Sequence, residues 1–197
     1  MSIKQKILSI GYQPLKISNY LYRSLKRDNT SRLRVLTYHD VIPSDEKLFS
    51  SQLKWLSRRW RFLKPQEFSE IISGQVPLKE DSLLLTFDDG FASNRRIAER
   101  ILKPLDIHAI FFIVSQFVSL ENPKDINSFI ANNFFPQKAL KNIPNNLSNM
   151  HWNDLEYLLS QGHDIGGHTA NHLRLSELQE SELYDEIVSS ADILEER

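Results

Sequence analysis

The chain has 197 residues, 41% hydrophobic and 25% charged, the size and balance of one globular domain rather than a disordered or fibrous chain. It contains no cysteine, which excludes disulfides, thiolate metal sites and a cysteine nucleophile. The net charge of −1 is uneven: residues 1–34 hold eight Lys and Arg against Asp28 alone, +7, leaving −8 on the remainder. An acidic remainder argues against a nucleic-acid partner. The longest apolar runs, such as AIFFIV at 109–114, are too short to span a bilayer.

In chain order, residues 1–31 read as a basic leader with Ile3, Ile7, Leu8, Tyr20, Leu21 and Leu25 interleaved. Two roles suit it: peripheral contact with an anionic membrane surface, or a helix packed on the domain with a solvated basic face. Without an apolar signal core, the expected location is cytoplasmic, at most peripheral at the inner membrane face. Residues 32–197 read as the folded domain. RLRVLTYHDV (32–41) predicts a strand ended by Pro43, and FSSQLKWLSRRW a helix capped by Ser50 or Ser51. RFLKPQEF predicts a short strand and turn, followed by a short helix ending near Gly74. SLLLTF (82–87) is a continuous apolar run suited to a strand buried on both faces. FASNRRIAERILKPL predicts a helix as far as Pro104, and HAIFFIVS the next buried strand.

Residues 119–150, rich in Asn and Pro, predict a long connection with a short helix around 126–134. WNDLEYLLSQG predicts an amphipathic helix stopped by Gly162, and HDIGGHT a short strand. The last segment predicts a helix opened by a capping box at Ser176 and Gln179. About five strands alternating with helices imply an α/β fold with parallel strands. In such folds functional groups gather at the C-terminal ends of the strands.

Three groups fall there: Tyr38-His39-Asp40, Asp88-Asp89, and His168 to His172. Adjacent carboxylates followed by Gly90 admit two readings. One is a hairpin turn, for which Asp-Gly is a strong signal. The other is a cation: two histidines four apart plus one carboxylate make a two-histidine, one-carboxylate site with positions left for water and substrate. One aspartate then binds the ion and its neighbour stays free as a base, the cation favouring both ionised forms.

TFDDG (86–90) followed by HTANH (168–172) resembles the NodB-homology polysaccharide deacetylases, carbohydrate esterase family four. YHDV, HAIFFIVS and MHWNDLEYLLSQGHDIGGHT agree, so the resemblance covers roughly 32–197. It implies an incomplete distorted (β/α) barrel of the NodB-homology type, and a hydrolase removing N-acetyl groups from a polysaccharide or glycan precursor. By the family pattern Asp88 is the base, Asp89, His168 and His172 hold a divalent metal, usually zinc, and Tyr38, His39 and Thr169 are candidate pocket residues. The substrate implied is an N-acetylated glycan. The family continues past the equivalent of ADILEER with further strands, an Arg- or Tyr-containing motif and a histidine general acid. The expectation is therefore a shortened member, with a complementing chain or oligomer covering the open barrel edge. Alternatives are a non-catalytic or split remnant, or an amidase of the same fold acting on a non-sugar amide. Of the remaining histidines, His108 and His163 begin strands, the wrong end for chemistry, and His151 starts a helix, while His39 stands at a productive strand end, where it lines or braces the pocket.

Overall fold

The computed structural model describes residues 30–139, 142–144 and 146–196, so the basic leader lies almost wholly outside the described residues. Two compact units divide the chain, Met1–Arg32 and Leu33–Arg197, and all elements named below belong to the second. Five parallel strands form one sheet: β1 (Leu33–Tyr38), β2 (Arg61–Phe62), β3 (Ser82–Phe87), β4 (Ala109–Ile113) and β5 (Asp164–Gly167). The order is β1-β3-β4-β5, with β2 pairing the first residues of β3. The architecture is the α/β type expected, and among the described residues the sheet is open rather than closed into a barrel.

Every residue of β3 is buried, as an apolar run without alternation requires for a central strand covered on both faces. Phe87 stacks on Phe111 of β4 with centroids 5.0 Å apart. Around them Leu53, Leu85, Ile97, Leu102, Ile113, Met150 and Leu158 fill the main core. The crossover helices are α1 (Glu46–Leu56), α2 (Pro65–Ile72), the helical run α3 (92–105), α4 (Ser115–Val118), the run α5 (123–134) and α6 (Trp152–Ser160), and the run α7 (180–195) follows the last strand. The connection 119–150 carries its own core, in which Phe91, Val114, Phe117, Ile126 and Ile130 pack with Phe129, Phe134 and Phe135.

Several boundaries differ from the sequence reading. Helix α1 begins at Glu46 rather than at Ser50 or Ser51, because Pro43 opens a helical turn over Pro43–Asp45 that leads straight into it. Ser51 instead donates its hydroxyl to the Lys47 carbonyl inside the helix. The C-terminal helix starts at Glu180, not beside Ser176, which lies in a separate turn. Its box is closed one step later, by the Gln179 N–H donating to Glu182 Oε2 at 2.8 Å. Strand β1 stops at Tyr38, leaving His39 and Asp40 in the loop.

The strand ends set two histidines apart from the chemistry. His163 is buried just before β5, where its Nδ1 accepts the Ala109 N–H at 3.1 Å and its ring meets Phe111 edge-on. Burial, with a smaller contribution from His108, lowers its pKa from 6.5 to about 4. The folded state therefore excludes a proton that the unfolded chain binds below pH 6.5. Stability from this group is complete above pH 6.5 and is lost as pH falls toward 4, a loss of about 2 kcal/mol by pH 5. Urea unfolding at pH 7 and pH 5 checks it: His163→Gln should lose less stability over that interval than wild type by about this amount. Equal losses would show that His163 is not held neutral.

Candidate metal centre

Parallel pairing puts the ends of β1, β3, β4 and β5 on one edge of the sheet. Asp88 and Asp89 come directly after β3, and His168 directly after β5. The tip of β4 ties the two together: the Val114 N–H donates to the Asp89 carbonyl at 3.4 Å and the His168 N–H to the Ile113 carbonyl at 2.8 Å. The Asp88 N–H donates to the Tyr38 carbonyl at 2.9 Å, fastening the β1 end to the same point. Asp89-Gly90 leads into helix α3, not into a returning strand, so the hairpin reading is set aside. The turn is nonetheless tight, with φ of 77° at Asp89 and 92° at Gly90.

Asp89 is 4% exposed, and its Oδ1 has no hydrogen-bond partner. That oxygen lies 3.6 Å from His168 Nε2 and 3.5 Å from His172 Nε2. One ligand atom from each of the three residues falls within 4.8 Å of the others. Ligands at about 2.0–2.2 Å in a tetrahedral zinc site stand roughly 3.3–3.6 Å apart, so the carboxylate–imidazole spacings fit such an ion. An orphaned carboxylate oxygen facing two imidazole nitrogens is the donor set a divalent cation satisfies. Burial pushes the Asp89 carboxyl up from its ordinary value, opposed by His172, His39 and His168, with Asp88 adding to the rise. Burial likewise pushes His168 down, against the carboxylates of Asp88 and Asp89. Neutral imidazole is the ligating form.

Around these groups the other sequence candidates take distinct places. Asp88, next to Asp89 in the chain, is partly exposed and is not one of the three clustered ligand residues. His39 is exposed and close enough for its charge to act on both Asp89 and His168. Tyr38 packs its ring edge-on against Phe49 at 4.9 Å. Its hydroxyl is buried without a hydrogen-bond partner, and burial raises its pKa. Thr169 braces the loop: its Oγ1 accepts the His172 N–H at 2.9 Å.

Sequence reasoning missed the residues that hold this frame. Asn94, fully buried on α3, donates to the His39 carbonyl at 2.7 Å. Asn133, at the end of α5, accepts on its carbonyl from His172 Nδ1 at 3.3 Å, leaving Nε2 toward Asp89. Phe134 lays an edge against the same ring at 5.0 Å. The Asn-rich composition of 119–150 was the available signal, but it reads as a polar connection until the fold places Asn133 beside His172.

Gly90 offers a direct check on the turn. A Cβ there would approach Val118 Cγ1 at 3.3 Å and Ile113 Cδ1 at 3.5 Å in a backbone region that side chains avoid. Gly90→Ala should lower unfolding stability by about 1–3 kcal/mol, read as a shift in denaturant midpoint at unchanged slope. An unmoved midpoint would mean the turn can relax.

Comparison with known proteins places the fold and the family. Residues 75–197 match the family model described as polysaccharide deacetylase. YxkH of Bacillus subtilis (strain 168), whose name places it with the polysaccharide deacetylases, is 27% identical over 100 residues, 48% of this chain and 36% of YxkH. The chain thus spans little more than a third of that relative. Two solved structures share the fold: IcaB from Ammonifex degensii (TM-score 0.63, 22% identity) and the Streptococcus pyogenes deacetylase PplD (TM-score 0.62, 20% identity). Each similarity covers 85% of this chain and 70% of the other. With the family model matched over more than half its residues, the chain belongs to the polysaccharide deacetylase family.

Proposed function

We infer that the chain is a metal-dependent hydrolase that removes N-acetyl groups from a polysaccharide or glycan precursor, with Asp89, His168 and His172 holding a divalent ion, zinc by its donor set. The observation that carries this reading is the buried, unpartnered Oδ1 of Asp89 facing both Nε2 atoms. When bound, such an ion supplies Lewis acidity, polarising the acetamide carbonyl and making water a stronger acid. The side chains do the remaining work. Asp88 is the general base, since it adjoins Asp89, is partly exposed and stands outside the ligand cluster, and it takes the proton of the attacking water. The carbon–nitrogen bond then breaks, giving acetate and a free amine on the sugar.

His39, exposed at the neighbouring strand end and close enough for its charge to act on Asp89, lines the pocket, its backbone carbonyl held by Asn94.

Calorimetric zinc titration combined with acetate release from N-acetylglucosamine oligomers tests the assignment. Asp88→Asn should bind zinc as wild type does and lose about 10²–10⁴-fold in kcat. His168→Ala should lose zinc binding. Absence of binding in wild type, or loss of zinc in Asp88→Asn equal to that in His168→Ala, would contradict the assignment.

A further inference from the structure

The loop carrying His172 is held in a conformation its own residues would not choose. Thr169 and His172 both take left-handed φ, 67° and 59°, and each such residue costs about 1–3 kcal/mol unless the surroundings impose it. The imposing contacts converge on Asn171. Its backbone N–H donates to Glu186 Oε2 at 2.9 Å and its Nδ2 to Glu186 Oε1 at 2.7 Å, so one residue occupies both carboxylate oxygens. The Glu186 carbonyl also accepts the Ala170 N–H at 3.0 Å. From the opposite side Asn133 Nδ2 donates to the Asn171 carbonyl at 2.6 Å, and the Asn133 carbonyl takes His172 Nδ1.

Glu186 is 3% exposed, in the middle of α7. A carboxylate taken this far from water is costly, and an apolar side chain would pack there without that cost. No apolar residue could grip an amide and a backbone N–H together, one residue before a candidate ligand. Glutamine could not either, since its NH₂ would face one of the two Asn171 donors.

We propose that Glu186 is a positioning residue of the deacetylase centre: bonded to both amide donors of Asn171, it fixes the next residue, His172, with Nε2 toward Asp89 Oδ1. This rests on the metal-site reading above, and its effect belongs on metal affinity. Outer partners that orient a ligating histidine typically account for about 10–100-fold in affinity.

The test is zinc affinity by competition with a chromophoric chelator, on wild type, Glu186→Gln, Asn171→Ala and the double variant, each checked for folding by circular dichroism. Glu186→Gln should weaken zinc by about 10–100-fold. The double variant should be no more than a few-fold weaker than the weaker single, because both substitutions break one connection. Unchanged affinity in Glu186→Gln, or effects that multiply in the double variant, would overturn the proposal and assign Glu186 to the packing of α7 alone. If Glu186→Gln does not fold, Asn171→Ala decides: a tenfold or greater loss supports the proposal and wild-type affinity overturns it. A wild type that binds no zinc would instead remove the metal reading itself, and this proposal with it.

Discussion

The site depends on the parallel register that brings β3, β4 and β5 to a common edge. Asp89 and His168 are far apart in sequence, yet Ile113 at the end of β4 and Val114 just after it hydrogen-bond to both. Shift β4 by one residue and its side-chain faces would invert, trading the buried Ala109, Phe111 and Ile113 for the half-buried Ile110 and Phe112 and pulling apart the segments that carry Asp89 and His168. The apolar core favours the observed register, in which the buried Phe87 and Phe111 pair across the strands and stack. Core packing and ligand geometry are therefore one constraint.

On that frame the site gathers what a folded chain usually avoids. A carboxylate is buried with one oxygen unpartnered, and three of the four described non-glycine residues with positive φ, Asp89, Thr169 and His172, lie within it. Each is individually unfavourable. They persist because Thr169 Oγ1, Asn133 and Glu186 over-determine the loop. A divalent ion among three converging donors would relieve the remaining electrostatic cost. The same economy of placement separates the two aspartates: Asp89 is buried under left-handed backbone while Asp88 stays partly exposed.

Much of this was readable in the chain. SLLLTF marks a central strand because no residue in it could face water, and the acidic doublet at its end stands out against that run. HTANH supplies two imidazoles at a spacing that one tight loop can aim at a common point, as it does. The frame around them was not readable. Glu186 lies among Glu180, Glu182 and Asp185 in a helix that looks like a solvated face, and only tertiary packing turns one of these carboxylates inward. The stretch 119–150 looked like an Asn- and Pro-rich connection, while its phenylalanines build a second small core that delivers Asn133 to His172. The helix starts were misplaced for a local reason: Pro43 and Gln179 open turns that competing serine caps nearby made harder to see.

The chain's family is that of the polysaccharide deacetylases and its fold is shared with IcaB and PplD, while the local chemistry converges on Asp89. Anomalous diffraction at the zinc edge, on crystals of the zinc-loaded protein, tests that convergence most directly. The account predicts a single strong peak about 2.0–2.2 Å from one Asp89 carboxylate oxygen and from Nε2 of His168 and His172, with the Asp88 carboxylate outside the ligand shell. A peak coordinated by Asp88 in place of Asp89, or no peak between the two imidazoles, would contradict it.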